Sequence, residues 1–586
     1  MKAMSARHLR GMTLGALFLL VPPQARGEVS KAAPSINPAV LPESVYPYWP
    51  GYQHLETKDL TGIRAQPWIA GPHVIEGWDW SLPEHVEPAE RSIVGLQRII
   101  GLEKKFIPLD LKFKANGVGL LWVKWRDIEA TEGSYDFSKV IARIKQGNEA
   151  GLDVILRILT CSKARGDGPG AIAMGEAPLW LENHGVPLLP RKSPGHNLNF
   201  DPAHPEFHKR YLGLIDELSR SGIPAMVKAA YVGYASHSLG DEGIGPFRES
   251  EAAKNDALPH VRERLDAWHR AFKGMEHKVF MGGSSHYGFT KGFGVRRGFV
   301  EMYLYHIPDA DLGQYIDREG YLCVDETAPV IAHRCFNGEV NEEYEPQWAT
   351  GDRGYRFGAT TNSFPYRYFT STHRALQMRC TYLHTTGHLV PEMLPFLSLQ
   401  LARTVEDTPD VWTFLRTSYI KPGYYRNNDT ADRPISPAEN KEGIPARNFE
   451  RWLHQRDAEG FETRPAMPIQ HPIKMWMVQD QKNHDYIART GKRIGFRIDS
   501  RWPGRSGSLA LKVTYLDAGP GALRLIHSGN KSLEQPLAGD GKLKTATFVL
   551  PGIQPSGMEH GFDFILQAGG DAQEITVSMV RLVAMK

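Results

Sequence analysis

Two apolar runs separated by one amphipathic helix constrain this 586-residue chain more than any other feature. Val118–Val123 (VGLLWV) is the first run and Asp153–Leu159 (DVILRIL) the second. Between them, Ser138 to Asn148 carries Val140, Ile141 and Ile144 at helical spacing. Ser138 is placed to cap that helix, and Gly151 to stop it. Strand, helix and strand make a βαβ unit, and βαβ units build parallel sheets. Apolar runs at Met226–Tyr234, Lys278–Gly282 and Val330–Cys335 continue the alternation, with helical patterns at Pro205–Arg220 and His260–Phe272. The expected fold is α/β: a (β/α)8 TIM-type barrel with long loops over residues 62–425.

Beyond Ile473 the pattern changes. Arg493–Ile498, Leu509–Tyr515, Ala522–Ile526, Thr545–Leu550, Phe562–Leu566 and Ile575–Val583 are short runs of β-formers broken by Gly, Pro and Asp turns. That spacing predicts an antiparallel β-sandwich over residues 473–586. Residues 426–472 hold the polar, Pro-containing stretch Asn427–Ala446 and are expected to connect the two domains. Residues 28–61, rich in Pro and aromatics, are expected to form an N-terminal arm.

Residues 1–27 have the form of a signal peptide, with basic Lys2, Arg7 and Arg10, an apolar stretch Gly11–Val21 and a small-x-small site at Ala25-Arg26-Gly27. Export, to the periplasm or the extracellular space, is the expectation. Losing Lys2, Arg7, Arg10 and Arg26 takes the 69 basic residues to 65, one fewer than the 66 acids. The formal excess of +3 therefore belongs to the leader, and no basic patch points to nucleic acid. No apolar run is long enough to span a bilayer. The cysteines Cys161, Cys323, Cys335 and Cys380 have no metal-binding spacing; a Cys323–Cys335 bridge and free buried thiols are both open.

The loop after the first run reads Trp125-Arg-Asp-Ile128-Glu129-Ala130-Thr-Glu132-Gly133-Ser-Tyr135-Asp136-Phe137. It resembles the W-x-x-I/L-E-P-x-E-G-x-Y-D-F segment of the barrel enzymes related to clan A β-galactosidases, with Ala130 in place of Pro. Ala177-Pro-Leu-Trp180-Leu181 resembles the segment after their third strand, and Asn197–Arg210 the one before their fourth. The resemblance spans roughly residues 95–350 and implies a glycoside hydrolase that needs no cofactor, with β-galactosides as the family-weighted substrate. Retaining hydrolysis uses two carboxyl groups, one as acid/base and one as nucleophile. In a parallel barrel these stand at the carboxyl ends of strands.

In the family the acid/base is a Glu after the fourth strand, usually within Asn-Glu. The matching position here is Asp241-Glu242, displaced beyond the strand; Glu242 is the candidate and Asp241 the alternative. The family's nucleophile ends the seventh strand. Glu339 is the first acid after Val330–Cys335, with Glu342 and Glu343 as alternatives.

Sugars present C–H faces to aromatic rings and hydroxyls to polar groups. Candidate substrate-binding residues are Trp125, Arg157, Trp180, Tyr234, His237, His286, Tyr287, Arg334 and Tyr344; Trp122 and Trp348 also fall near strand ends or loops. Arg157 and Arg334 lie within apolar runs, so each is expected to meet a carboxylate, for Arg157 either the nucleophile or a uronate. The pairs His204/His208 and His384/His388 have one-face helical spacing but lack the Glu of a zincin motif, so no metal site is assigned. The partner is a carbohydrate; oligomeric state is not readable. A second reading is a non-catalytic glycan-binding protein on the same barrel, and a third is a metal-dependent hydrolase or lyase.

Overall fold

The computed structural model describes residues 97–99, 117–149, 152–160, 176–188, 199–232, 259–281, 286–298, 314–317, 319–324, 326, 335–340, 373–385, 396, 400–401, 403–419, 446–466, 484–528, 531–554 and 557–585. In chain order the first part contains β1 (Gln97–Ile99), β2 (Gly117–Lys124), the short α1 (Trp125–Ile128), α2 (Ser138–Glu149) and β3 (Leu152–Leu159). Then come α3 (Pro205–Arg220), α4 (Ile223–Met226), β4 (Ala229–Tyr231), α5 (Pro259–Ala271), β5 (Val279–Met281), α6 (His286–Thr290) and β6 (Gly294–Gly298). A hairpin of β7 (Gln314–Ile316) and β8 (Leu322–Val324) follows, then β9 (Cys335–Val340) and β10 (Cys380–Thr385).

Eight of these strands form one sheet in the order β1-β2-β3-β4-β5-β6-β9-β10. Every pairing in it is parallel. Spatial order thus follows sequence order, with only the β7–β8 hairpin set aside. Alternation along the strands sorts the side chains onto two faces. Leu121, Val123, Leu156, Ile158, Ala230, Val232, Val279 and Met281 share one buried cluster with Ile144 of α2, Phe207, Leu214 and Leu218 of α3, and Leu265 and Trp268 of α5. That is the helix-covered face. Ile155, Tyr231 and Phe280 are also buried but stand outside this cluster, at the alternate positions.

The second part is antiparallel. Its strands are β11 (Asp410–Tyr419), β12 (Ala446–Arg451), β13 (Leu453–Arg456), β14 (Arg464–Ala466), β15 (His484–Tyr486), β16 (Ala488–Gly491), β17 (Arg493–Ile498), β18 (Leu509–Leu516), β19 (Pro520–His527), β20 (Lys531–Ala538), β21 (Leu543–Leu550), β22 (Phe564–Gly569) and β23 (Ile575–Ala584). One sheet is built on β11, β18 and β23; the other runs β13-β17-β22-β19-β20. A single apolar cluster joins them: Val411, Leu511, Val513, Phe548, Val580 and Leu582 from the first, with Leu453, Phe496, Leu523, Leu525, Phe564 and Leu566 from the second.

Several expectations shift. Glu339 was expected after a strand Val330–Cys335, whose residues 330–334 lie outside the described residues; it lies inside β9. The stretch Met226–Tyr234 is divided: Pro224 at the helix start sets up α4, and among its described residues, 226–232, the strand is Ala229–Tyr231. The antiparallel part starts at Asp410, not at residue 473, because β11 pairs with β23 from Asp410↔Val583 to Phe414↔Met579. Residues 446–466, expected within the connection, form β12 to β14. Cys323 is buried, its thiol 3.6 Å from the Tyr321 carbonyl oxygen. Residues 1–61, read as leader and arm, lie outside the described residues. No helix among the described residues is long and apolar enough to cross a membrane.

Candidate active site

The motif that carries the family resemblance folds into a buried knot at the carboxyl end of β2. Trp125 is 0 % exposed. Its indole N–H donates to Glu129 Oε2 at 2.8 Å, and the Gly133 N–H donates to Glu129 Oε1 at 2.9 Å. The Trp180 indole donates to the Glu129 carbonyl at 3.0 Å. The Trp125 ring meets Phe207 and Tyr211 of α3 edge-on at 5.3 and 6.1 Å. Gly133 is needed because the turn takes φ +72°, a left-handed value that side chains resist. Outside the knot, Glu132 pairs with Arg210 of α3 and with His184 at 2.9 Å.

Burial pushes the Glu129 carboxyl above its ordinary value, against the pull of the Gly133, Trp125 and Tyr135 hydrogen bonds. Burial, then the Glu129 charge, pushes the Tyr135 phenol up as well. Glu132 goes the other way, held down chiefly by its hydrogen bond to His184. Glu129 and Glu132 therefore brace the β2 end.

The face opposite the helices carries different chemistry. Parallel register aligns Trp122 with Arg157, Arg157 with Tyr231, and Tyr231 with Phe280, a row across four adjacent strands. Arg157 is 9 % exposed and its guanidinium carbon lies 5.2 Å from the Trp122 ring centre. Trp122 itself is 46 % exposed. Further round the sheet, Glu339 is the penultimate residue of β9, in register with Gly298 of β6 and His384 of β10.

The structure separates the expected site residues. Arg157 lies on the face away from the helices and stays in the candidate site. Trp125 does not: it is fully buried, with its N–H satisfied by Glu129. Trp180 is partly buried, its N–H committed to the knot and its ring covered by the Arg210 guanidinium at 5.7 Å. Tyr287 of α6 donates to Asp266 of α5 at 2.9 Å, and Lys291 Nζ lies 4.7 Å from its ring centre, which fastens it to the helical layer. His286 is the first residue of α6. Glu242, Asp241, Tyr234, His237, Arg334, Tyr344, Glu342, Glu343 and Trp348 lie outside the described residues.

The histidine pairs also change. His384 lies in a strand, so its spacing to His388 is not that of a helix face. His204 caps α3, accepting from Glu206 N, while His208 bonds Glu263 at 2.6 Å and accepts from Arg264. No group of three or more potential metal ligands occurs among the described residues. Trp122 gains most: strand alternation in VGLLWV, between core-facing Leu121 and Val123, was the signal that puts it on the other face.

No protein-family model matches the chain, and no curated protein does. Among solved structures it is similar to the catalytic domain of a β-amylase from Paenibacillus polymyxa at 12 % identity, over 46 % of this chain and 85 % of that one, with a TM-score of 0.26. An endo-glycoceramidase II from Rhodococcus sp., in a lactosyl-enzyme intermediate, gives 10 % identity over 86 % of this chain and 100 % of that one, with a TM-score of 0.27. A β-galactosidase from the psychrophilic Marinomonas ef1 gives 13 % identity over 34 % of this chain and 38 % of that one, with a TM-score of 0.21. Likenesses this low assign neither fold nor activity to the chain.

Proposed function

We propose that the chain is an exported glycoside hydrolase, its parallel sheet closed into a (β/α)8 barrel and its antiparallel sheets packed as a β-sandwich. In this reading Glu339 attacks the anomeric carbon while Glu242 protonates the leaving oxygen. Glu242 then takes a proton from the water that releases the sugar. The observation that carries the reading is the eight-stranded parallel sheet in sequence order with Glu339 at the carboxyl end of β9. Parallel α/β sheets bind their ligands beyond the carboxyl ends of the strands. The motif knot supports the same reading, since it fixes the end of β2 and leaves Trp122 and Arg157 on the opposite face. β-Galactosides are the first substrates to try.

The test is hydrolysis of a panel of aryl glycosides and polysaccharides by the wild type, Glu242→Gln and Glu339→Gln. Each variant is expected to lose at least roughly 10²–10⁴-fold in rate while keeping its fold. The product anomer, followed by NMR, should retain configuration. Turnover that survives in folded Glu339→Gln would overturn its role and move the nucleophile to Glu342 or Glu343. Glycan binding without turnover by the wild type would overturn the enzyme in favour of a binding protein.

A further inference from the structure

We propose that Trp122 and Lys124 form one sugar-binding subsite at the carboxyl end of β2, with Glu176 as the positioning residue that aims the Lys124 ammonium. The inference rests on the reading of this face as a glycan site and adds the residues that hold one glycosyl unit there. Lys124 is the last residue of β2, and Trp122 stands two residues before it. Strand alternation sets both on the face opposite the helix-facing Leu121 and Val123. Two steps of strand separate them by roughly 6.6 Å, a separation that one pyranose with its exocyclic hydroxyls can span.

Each side chain is suited to a ligand by what it leaves uncommitted. The Trp122 indole is 46 % exposed, although β2 is an interior strand of the sheet, and its N–H meets no acceptor among the described residues. Arg157 lies over one face of the ring and supports it; the subsite asks nothing further of that guanidinium. Glu176, on the segment after β3, has a side chain only 6 % exposed, with Oε2 at 3.2 Å from Lys124 Nζ and 3.4 Å from Arg126 Nη2. The Arg126 N–H donates to the Glu176 carbonyl at 3.0 Å, which fixes this carboxylate against the end of β2. Oε2 is enclosed and receives no aligned hydrogen bond, so it holds the Lys124 ammonium by charge while the N–H donors remain for a ligand. The Lys124 side chain is 41 % exposed. A long lysine stem loses rotamer freedom when a ligand orders it, and an ion pair that orders it beforehand reduces that loss. A sugar stacked on Trp122 through its C–H face then presents hydroxyl oxygens to those donors.

The test uses the full chain and calorimetric titration with lactose, cellobiose and xylobiose, of which wild type should bind at least one. Trp122→Ala should weaken that binding about 10-fold or more, and Trp122→Phe by less, because the smaller ring keeps a stacking face. Lys124→Met, which keeps the stem and removes the donors, should weaken it about 5–10-fold, with part recovered in Lys124→Arg. Glu176→Gln removes the charge at nearly constant volume and should weaken binding in the same direction. In the double variant with Lys124→Met the two losses should not add, since both act through one ammonium. If Glu176→Gln fails to fold, the Trp122 and Lys124 variants, made at exposed side chains, still decide the subsite. For any glycan that is hydrolysed, KM should rise in Trp122→Ala and Lys124→Met by more than kcat falls. Wild-type affinity in Trp122→Ala or Lys124→Met overturns the subsite, and additive losses overturn the role of Glu176. Weakened binding in these variants without hydrolysis by wild type keeps the subsite and removes the enzyme; hydrolysis with KM unchanged in both variants does the reverse. A wild type that binds none of the three sugars and hydrolyses no glycan removes both.

Discussion

The two halves of the molecule solve the problem of strand connection differently, and the difference decides where chemistry resides. In the antiparallel half short links suffice: β19 and β20 pair across a hairpin from His527 to Lys531, and two short turns, from Leu516 to Pro520 and from Ala538 to Leu543, carry the chain between the two sheets. Asp517 locks both turns, accepting from Ala538 and Gly539 N–H at 3.0 and 2.7 Å and from Lys544 Nζ at 2.6 Å. In the parallel half each connection must cross the sheet and return. The passage from Tyr231 of β4 to Val279 of β5 contains α5 and also Asp241 and Glu242. Long crossovers leave room for functional side chains, whereas short hairpins leave room only for structure.

That contrast makes the antiparallel half the place where single buried contacts should matter most to stability. Asp410 is fully buried and receives Arg581 Nε and Gln400 Nε2, both at 2.5 Å. Asp410→Ala strands the Arg581 charge in the core and should cost about 3–5 kcal/mol, read from the shift in urea midpoint. A loss under about 1 kcal/mol would show that the ion pair is not what holds β11 to β23.

A smaller effect, of opposite sign in the two halves, is expected with pH. Burial alone would raise Glu450, but the Arg456 guanidinium and His454 more than reverse it and hold the carboxyl at about 2. A depressed carboxyl contributes stability that is present above its ordinary value of 4.5 and is lost as pH falls through the folded value. Above 4.5 that contribution should be on the order of 3 kcal/mol. Glu450→Gln should flatten the acid limb of a stability–pH curve, and an unchanged limb would remove Glu450 as its source.

Glu129, in the parallel half, has its carboxyl raised by burial. Its contribution is therefore present below 4.5 and lost as pH rises through the folded value. Glu129→Gln keeps the shape of the knot while weakening the acceptors for Trp125 and Gly133. It should lower stability by about 1 kcal/mol at acidic pH and by less at neutral pH, where wild type bears the cost of a buried charge. A greater loss at neutral than at acidic pH would contradict the assignment.

Legibility followed the same divide. The strands around Val118–Val123 and Asp153–Leu159, and the helices at Ser138, Pro205 and Pro259, were readable because local periodicity and capping fix them. The six C-terminal strands were readable within a few residues for the same reason. β20 (KSLEQPLA) was not: it is an exposed edge strand, so no buried face imposes alternation on it. β11 falls within the range 62–425 expected for the barrel, and only its pairing with β23 reveals its sheet. Arg157 stood out as a charge set inside an apolar run, but its register beside Trp122 did not. That the Trp125 and Trp180 indole N–H groups both turn to Glu129 was not legible, because composition says that an indole needs a partner but not which one.

The sequence by itself determined the alternation of strands and helices, the change to β-rich hairpins, and the residue types able to serve a glycan. Those properties depend on neighbours a few positions away, within reach of one turn of helix or one step of strand. The tertiary structure alone decided that the galactosidase-like motif is a brace, that Trp122 and Arg157 stand together, and that Asp410 belongs with Arg581. Each of those is a meeting of groups distant along the chain. Strand register, not local pattern, brings Trp122 to Arg157, and burial, not sequence, closes the knot on Glu129.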